Sequence, residues 1–485
     1  MLISSAVVLV AEIVAARVIA PYVGLTLETF SAVVGCVLAG ISAGAWTGGW
    51  LADRVSTRPL LTGALALGGV ALIASPYIVR AVGPHATPSA SSGALMLAAS
   101  AFLLPSVALS AVTPTVLKSL GQGSLRLGSV AGAISAIGTG GALIGNFSAG
   151  FILVGSLRTS QILVACGVTC LVLAAATALF YGGRPEKLLA PPSIAAAILL
   201  LTGAVGTQAS RQLPCDTETK YVCLTIKHHD KRYLFRSNIY ASSLTNAADP
   251  TDLEFSYTND IAEVTEATVD AARRDVAFGY IGGGGYTLPL YFEATYSSSS
   301  HTVFEIDGRL VERVTSTLGI TDREARFPTR IGDARTTLLT TKAGSLDVIV
   351  GDAFSGLAVP YHLTTRQFLA DIDAVLRPRG LYVMNVIDHH HFDFGRAEAR
   401  TFRSVFRNVV MVVPAYTATP GDWPAANILL LGGDDLPDVA TLNRALARAD
   451  GQTVAISGRR LDDFIGDAIE LTDEFAPVDQ LIGSP

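Results

Sequence analysis

The strongest constraint on this fold is the uneven distribution of charge along the chain. Residues 1–210 carry few charged side chains and consist largely of Ala, Leu, Val and Gly, whereas residues 211–485 have the composition of an ordinary water-soluble protein. A membrane-spanning helix needs about 20 consecutive, mostly apolar residues, and the first part contains several such runs. The sequence therefore predicts a multi-pass α-helical bundle in the cell membrane, followed by a separate soluble part.

Seven apolar runs are candidate spans. They cover residues 2–20, 29–51, 60–79, 94–117, 128–155, 160–181 and 190–208. A cleavable signal peptide does not account for so many runs. The loops after the second, fourth and sixth runs hold six Lys or Arg residues, against two in the loops after the first, third and fifth. Because cytoplasmic loops carry the excess of positive charge, we expect the N-terminus in the cytoplasm and the soluble part outside.

Cys215 and Cys223 lie directly after the last apolar run. Their spacing matches no metal-binding pattern, and the runs His228–His229 and His389–His391 are interpreted as solvated segments, so no metal site is predicted. A disulfide between the two cysteines requires an oxidising compartment, and free thiols are the alternative. The net charge of −6 and the lack of a basic run argue against nucleic acid as a partner.

The soluble part begins with a segment rich in β-forming residues. Residues 219–245 are predicted to form two or three antiparallel strands, and residues 260–273 a helix. Apolar strands then alternate with helices, and the strands are expected at 275–281, 302–307, 330–334, 346–352 and 380–387. This alternation predicts a parallel, doubly wound sheet. The expected domains are a membrane domain (1–210), a small β-domain (213–262) and an α/β Rossmann-like domain (263–485).

Glycines and acids follow the carboxyl ends of these strands, which is where ligands of doubly wound sheets bind. Gly282–Gly285 follow the first strand and can let a ligand approach the backbone. Glu305 ends the second strand, where an acid can accept hydrogen bonds from ribose hydroxyls. Asp333 and Asp352 end the third and fourth strands. The pattern predicts a nucleoside-binding crevice, and the alternative is a set of tight turns and solvated acids.

The motifs of the soluble part resemble those of the spermidine synthase family, polyamine aminopropyltransferases with the fold of S-adenosylmethionine-dependent methyltransferases. The matching stretches are IGGGGYTLPLY (281–291), VFEIDGRLVE (303–312), GDAR (332–335), DVIVGDAFSGLAVPYHLTTRQF (347–368), LRPRGLYVMNVID (376–388) and LTDEFAPVDQLI (471–482). The resemblance covers residues 213–485. The whole arrangement is similar to the bacterial membrane-fused spermidine synthase-like proteins.

The resemblance implies a role for each polar position of the crevice. Decarboxylated S-adenosylmethionine, or S-adenosylmethionine itself, would be a co-substrate, and no cofactor would be bound permanently. Asp352 would take the proton from the attacking amine, which has no lone pair while it is protonated. Tyr257 and Ser355 match substrate-binding positions. The donor would be bound by Gly282, Gly283, Gly284, Gly285, Glu305, Asp333 and Ala334.

Three positions depart from the family pattern, and all of them concern amine recognition. The family's glycine loop carries an aspartate that holds the aminopropyl amine, a second acid follows the catalytic aspartate, and a Tyr-His-Glu motif precedes the loop. The residues here are Gly285 or Tyr286 in the loop, Ser355 or Gly356 at the second acid, and Tyr257-Thr258-Asn259 at the motif. Aminopropylation of putrescine is therefore the activity most affected by these changes.

The expected function is aminopropyl transfer from decarboxylated S-adenosylmethionine to an amine acceptor such as putrescine. One alternative is an S-adenosylmethionine-dependent methyltransferase. The other is a non-catalytic nucleoside- or polyamine-binding domain coupled to a transport-like bundle. The expected partners are a nucleoside donor, a polyamine-like amine and the lipid bilayer, with a homodimer as one option for assembly.

Overall fold

The computed structural model describes residues 1–24, 27–86, 91–121, 127–180, 215–270, 273, 275–354, 356, 358–418, 423–449 and 451–482. The chain divides into two compact units, Met1–Cys223 and Leu224–Pro485. The boundary follows the predicted end of the membrane domain at residue 210. The seventh predicted span, residues 190–208, and the predicted substrate-binding residue Ser355 lie outside the described residues.

The first unit is a bundle of helices. Its α-helical segments are α1 (Leu2–Val23), α2 (Leu27–Ala52), α3 (Thr57–Val82), α4 (Ser91–Ala98), α5 (Leu104–Ser110), α6 (Val112–Gly121), α7 (Leu127–Ser148), α8 (Val154–Ser156) and α9 (Thr159–Phe180). A 3-10 turn (Gly83–His85) follows α3, and π-helical turns join α4 to α5 (Ala99–Leu103) and α7 to α8 (Ala149–Leu153).

These segments combine into six helices that are long and apolar enough to cross a membrane, within the part of the chain that the structure describes. They are Leu2–Val23, Glu28–Ala52, Thr57–His85, Ser92–Leu120, Gly128–Leu153 and Thr159–Leu179. Large apolar side chains such as Trp46 and Phe151 are exposed on this unit. Apolar surface of this extent suits contact with lipid, so the helices are compatible with the predicted membrane bundle.

Glycines allow close helix packing in the bundle. A Cβ atom on Gly40 would lie 2.6 Å from the Ser106 Cβ, and one on Gly48 would lie 2.6 Å from the Ala111 Cα. Side chains at these positions would therefore push α2 away from α5 and from Ala111, the residue between α5 and α6. Small residues spaced along one helix face let helix backbones approach in membranes.

Cys215 and Cys223 form a disulfide bond, with their Cα atoms 5.4 Å apart. The bond closes a hairpin that contains the short strand β1 (Thr217–Glu218). The Glu218 carboxylate accepts a hydrogen bond from the Thr159 backbone N–H at 3.2 Å, and the Arg17 guanidinium donates to a carbonyl of the same hairpin. The hairpin therefore lies beside the end of α1 and the start of α9. Disulfides persist in oxidising compartments, which agrees with the expected placement of this segment outside the cytoplasm.

The second unit begins with a small antiparallel sheet, as predicted for residues 219–245. Its strands are β2 (Cys223–His229), β3 (Arg232–Ser237) and β4 (Tyr240–Asn246). Strand β3 pairs with both β2 and β4. Helix α10 (Ser256–Thr268) follows and begins four residues before the predicted start at residue 260.

An eight-stranded sheet forms the centre of the second unit. Its strands are β5 (Ala277–Ile281), β6 (Ser300–Glu305), β7 (Thr329–Ile331), β8 (Leu346–Gly351), β9 (Leu376–His390), β10 (Asn408–Pro414), β11 (Trp423–Gly433) and β12 (Thr453–Ile456). The strand order is β12-β10-β11-β9-β8-β5-β6-β7. The five strands from β9 to β7 in this order are parallel, and they are the five that the sequence predicts.

The prediction of an entirely parallel sheet is wrong at one edge. Strand β11 pairs antiparallel with β9 and β10, and β12 pairs antiparallel with β10. The apolar runs NVVMVVP (408–414) and NILLLGG (427–433) favour buried strands but carry no information about their direction. The sheet is therefore mixed. His389 and His390 end strand β9 and do not form the predicted solvated loop.

Helices connect the strands of the large sheet. They are α11 (Thr287–Thr295), α12 (Gly308–Thr317), α13 (Arg323–Arg326), α14 (Ala334–Leu338), α15 (Arg366–Val375), α16 (Asp393–Val405), α17 (Val439–Ala449), α18 (Gly458–Ile465) and α19 (Val478–Ile482), with 3-10 turns at Tyr361–Leu363 and Ala415–Ala418. Every residue of β5 and β8 is buried, as expected for central strands of a sheet that is covered on both faces.

Candidate active site

A cavity open to solvent lies in the second unit, where β5 and β8 end. Its lining joins the small sheet and α10 to the glycine loop. The described lining residues are Ser243, Tyr257, Thr258, Tyr280, Gly282–Gly285, Thr287, Leu288, Pro289, Val350 and Asp352. The fold therefore brings the predicted glycine loop, Tyr257 and Asp352 together around one space.

The glycine loop turns sharply between β5 and α11. Gly282 has a φ of 97° and Gly284 a φ of 43°, which side chains with a Cβ atom rarely adopt. The backbone N–H of Asp352 donates to the Ile281 carbonyl at 2.8 Å, so the loop starts directly beside Asp352. The loop leads into the N-terminus of α11, where unpaired amides favour electron-rich groups.

Glu305, at the end of β6, holds the glycine loop in place. Its Oε2 accepts from the Gly283 N–H at 2.6 Å, and its Oε1 accepts from the Asp307 N–H at 2.9 Å. Burial raises the pKa of Glu305, and the hydrogen bond from Gly283 opposes this effect. Each carboxylate oxygen can accept more than one hydrogen bond. The geometry is therefore compatible with the predicted contact to ribose hydroxyls.

Asp333 lies just beyond β7, where it caps helix α14. Its Oδ1 accepts from the Arg335 N–H at 2.9 Å. Its Oδ2 lies 2.8 Å from Nε2 of His362. Ala334, the other predicted residue of this segment, begins the helix and is buried. The predicted adenine-side acid is thus oriented from two sides, and His362 is one of its partners.

Asp352 is held by hydrogen bonds at both carboxylate oxygens. Asn385 Nδ2 donates to Oδ1 at 2.8 Å, and the Tyr257 hydroxyl donates to Oδ2 at 3.2 Å. Asn427 Nδ2 donates in turn to Asn385 Oδ1 at 3.0 Å. These amides stand on the neighbouring strands β9 and β11. The network fixes the orientation of the carboxylate while each oxygen keeps a lone pair for a further donor.

The electrostatic environment favours Asp352 as a proton acceptor. Burial raises its pKa, and the hydrogen bonds from Asn385 and Tyr257 oppose that shift. Burial, together with the nearby charge of Asp352, raises the pKa of Tyr257 well above its ordinary value. Tyr257 is therefore a neutral donor to the carboxylate. A carboxylate with a raised pKa accepts a proton from an amine more readily than an exposed one.

The small sheet occupies the space beside the glycine loop where the family pattern has an aspartate. The Gly285 N–H donates to Ser243 Oγ at 2.9 Å, and Thr245 Oγ1 donates to the Gly285 carbonyl at 2.8 Å. A Cβ atom on Gly285 would lie 2.6 Å from the Ser243 Cβ and 2.8 Å from a ring carbon of Phe235. Hydroxyl groups of β4 therefore stand where a carboxylate would be expected.

The departures at Tyr286, Thr258 and Asn259, which the structure describes, likewise add no acid to the cavity. The Tyr286 side chain is buried, and its hydroxyl lies 2.9 Å from Thr329 Oγ1 on β7. Thr258 lines the cavity, but its hydroxyl donates to the Phe255 carbonyl at 2.6 Å. Asn259 donates to the Leu253 carbonyl at 3.0 Å. Thr258 and Asn259 thus support the start of α10.

Several side chains of the site were not predicted from the sequence. Among them are Ser243, His362, Asn385 and Asn427. A signal existed for the two asparagines, because each interrupts an apolar strand and a buried amide requires partners. Ser243 and His362 stand in segments where a serine or a histidine carries no specific chemical signal. Only the fold reveals that they contact Gly285 and Asp333.

The fold and the site place the second unit among α/β domains whose ligand crevice lies at the carboxyl ends of parallel strands. The second unit has a Rossmann-like α/β fold with a mixed sheet. Its glycine loop and Asp352 line the cavity, and two further acids, Glu305 and Asp333, lie at the ends of β6 and β7 outside the described lining.

Comparisons with known proteins narrow this class. The chain is 31% identical to a polyamine aminopropyltransferase from Vibrio vulnificus (strain CMCP6) over 129 residues, which are 26% of this chain and 42% of the relative. The chain thus matches less than half of that relative's length. The predicted resemblance to the spermidine synthase family is confirmed by this similarity. No family model matches the chain.

Solved spermidine synthases are also similar to this chain. One is a probable spermidine synthase from Corynebacterium glutamicum ATCC 13032, with 26% identity and a TM-score of 0.49, covering 53% of this chain and 96% of that one. Another is the spermidine synthase from Thermotoga maritima, with 16% identity and a TM-score of 0.35, covering 50% of this chain and 84% of that one.

Proposed function

We propose that this protein is a membrane-bound transferase of the aminopropyltransferase type. It would transfer the aminopropyl group of decarboxylated S-adenosylmethionine to an amine acceptor. The observation that carries the proposal is the Asp352 carboxylate, which lines the cavity and is oriented by Asn385 and Tyr257. The similarity to a polyamine aminopropyltransferase supports it.

Each part of the crevice has a role in this reaction. Asp352 accepts a hydrogen bond from the acceptor amine and takes its proton, so that the nitrogen lone pair can attack the carbon beside the sulfonium. A C–N bond forms, the C–S bond breaks, and its electron pair returns to sulfur, which leaves neutral methylthioadenosine. Glu305 binds the ribose hydroxyls, Asp333 and Ala334 bind adenine, and the glycine loop lets the donor approach the backbone.

The six long apolar helices of the first unit support a multi-pass location in the cell membrane. They would anchor the transferase, and the lipid bilayer would be a constant partner. The disulfide Cys215–Cys223 supports an orientation in which the second unit lies outside the cytoplasm.

A second candidate function is methyl transfer from S-adenosylmethionine to an amine. The observation that favours it is the close packing of Ser243 and Phe235 against Gly285. This packing leaves no room at residue 285 for the acid that holds an aminopropyl amine in the family. Asp352 would have the same role as proton acceptor. The two candidates differ in the donor and in the nucleoside product.

Product analysis separates the candidates. The full-length protein in detergent would be incubated with each donor in turn and a mixture of primary amines, and nucleosides and amines would be measured by mass spectrometry. Release of methylthioadenosine with an aminopropylated amine supports the proposed function. Release of S-adenosylhomocysteine with a methylated amine supports the second candidate instead. Binding of both donors without any product would contradict both and indicate a non-catalytic binding domain.

A further inference from the structure

We propose that the acceptor has a single amino group and an uncharged tail, rather than two amino groups. This inference rests on the proposed function and specifies its substrate class. Within the described lining, Asp352 is the one carboxylate, and the remaining side chains are apolar or carry hydroxyl groups.

The charge balance of the reaction disfavours a diamine in this cavity. The donor brings a positive sulfonium and the ammonium of its aminopropyl group, and the acceptor brings an ammonium that must lose its proton. Asp352 compensates one positive charge. A diamine would add another ammonium in a site where charges interact more strongly than in bulk water, and a desolvated charge without a partner is costly.

The cavity walls match an uncharged tail. Leu288, Pro289 and Val350 supply apolar surface. Ser243 and Thr287 supply hydroxyl groups, and Thr287 Oγ1 lies 2.6 Å from Thr245 Oγ1. A methyl or hydroxyl group at the far end of the acceptor can pack or hydrogen-bond against these residues. An ammonium there would need a carboxylate, which these residues do not provide.

The lack of an acid in the glycine loop is a consequence of how the small sheet packs. Ser243 and Phe235 stand within 2.8 Å of the position that a Cβ atom on Gly285 would take. The Gly285 N–H and carbonyl are both bonded to hydroxyls of β4. An aspartate at residue 285 would therefore require β4 to move. The uncharged wall of the cavity at Ser243 and Gly285 (the neutral wall) is thus part of the contact between the small sheet and the glycine loop.

Amines of equal chain length test the inference. The full-length protein in detergent would be assayed with decarboxylated S-adenosylmethionine and putrescine, 4-amino-1-butanol or butylamine, by methylthioadenosine release and the mass of the product. We expect kcat/KM to be at least about ten-fold higher for the two monoamines than for putrescine. A preference for putrescine would overturn the inference but leave the proposed function intact. Absence of transfer to all three amines would overturn the proposed function itself.

A charge placed in the neutral wall provides a second test. Ser243→Asp adds a carboxylate beside Gly285, and Ser243→Asn is the uncharged variant of similar size. We expect the ratio of kcat/KM for putrescine to that for 4-amino-1-butanol to be about ten-fold higher in the Asp variant than in the Asn variant. Equal ratios would contradict the role of charge. If the Asp variant does not bind methylthioadenosine, the inference is tested by the comparison of the three amines on the unmodified protein.

Discussion

Asn385 donates a hydrogen bond from Nδ2 to Oδ1 of Asp352 at 2.8 Å, and so connects the proposed general base to strand β9. Asn427 on β11 donates to the other end of the same amide at 3.0 Å. Because both asparagines stand on paired strands of the sheet, these two strands set the position of the carboxylate. The orientation of Asp352 is therefore a property of the sheet as well as of its own loop.

Replacing Asn385 by Ala should impair catalysis and change its pH dependence. A hydrogen bond to a carboxylate lowers the pKa of that carboxylate, so its removal should raise the pKa of Asp352. The base is active when ionised, and the acid limb of the pH–rate profile should therefore move to higher pH. We expect kcat to fall about 10- to 100-fold, the usual effect of losing a hydrogen bond to a charged group.

Asn408→Ala is the matched control for this prediction. Asn408 donates to the Asp434 carbonyl at 2.6 Å on the exposed end of β10, away from the cavity lining. Its loss should leave both kcat and the pH–rate profile unchanged. A fall in kcat for Asn385→Ala without any movement of the acid limb would contradict the positioning role of Asn385.

Glu305→Ala should weaken nucleoside binding. The carboxylate holds Gly283 and is expected to accept hydrogen bonds from both ribose hydroxyls. Losing charged hydrogen bonds of this kind costs about 2–3 kcal/mol, which corresponds to a 30- to 150-fold weaker Kd for methylthioadenosine by isothermal titration calorimetry. Glu312→Ala, exposed on α12, is the control. An unchanged Kd in the Glu305 variant would remove this residue from the donor site.

His362→Ala should act on donor binding without affecting the chemical step. The imidazole Nε2 lies 2.8 Å from Asp333 Oδ2, so its loss frees the acid that is expected to bind the adenine amino group. We expect KM for the donor to rise about 3- to 10-fold with kcat unchanged, because His362 acts on donor binding only through the orientation of Asp333. His362→Asn retains a donor and should restore part of the effect. A lower kcat at unchanged KM would contradict this role.

Glu398 should make the protein less stable as the pH rises. The side chain on α16 is fully buried, and neither carboxylate oxygen has a hydrogen-bond partner among the described residues. Burial raises the pKa of Glu398 well above its ordinary value. The folded protein therefore keeps this proton above about pH 4.5, the ordinary range for Glu, whereas the unfolded chain loses it, and the stability contribution declines as pH rises toward the folded-state pKa.

The variant Glu398→Gln removes this titration. We expect its Tm, measured by circular dichroism, to fall less than that of the unmodified protein between pH 5 and pH 8, since each pH unit in the affected range costs up to about 1.4 kcal/mol. Glu312→Gln, at an exposed position, should follow the unmodified protein. Parallel pH curves for Glu398→Gln and the unmodified protein would show that Glu398 titrates equally in the folded and unfolded states.

The sequence predicts those parts of the fold that a local pattern of residue types specifies. Long apolar runs predict the six long apolar helices of the described first unit, and short buried runs such as 346–352 predict the parallel strands in order. Strands β10, β11 and β12 lie beyond the five predicted strands, and the apolar runs at 408–414 and 427–433 do not specify the direction of a strand. Their antiparallel pairing depends on packing against β9, which no local pattern records.

The same distinction applies to the site. Gly282–Gly285, Glu305, Asp333 and Asp352 could be selected because each follows a strand, and the ends of parallel strands meet at one edge of a sheet. The partners that orient them come from distant segments. Ser243 precedes Gly285 by 42 residues, and Asn427 follows Asn385 by 42 residues. Contacts at such separations depend on topology, so they could not be derived from residue type and spacing.

The central claim is that Asp352 removes the proton from the attacking amine, and Asp352→Asn tests it most directly. The amide keeps the shape of the side chain but cannot accept that proton. The rate of aminopropyl transfer would be measured under single-turnover conditions with saturating decarboxylated S-adenosylmethionine, beside the Kd for methylthioadenosine. We expect a rate at least about 100-fold lower with an unchanged Kd, because Glu305, Asp333 and the glycine loop are intact. An active parent protein whose rate is unaffected by Asp352→Asn would contradict it.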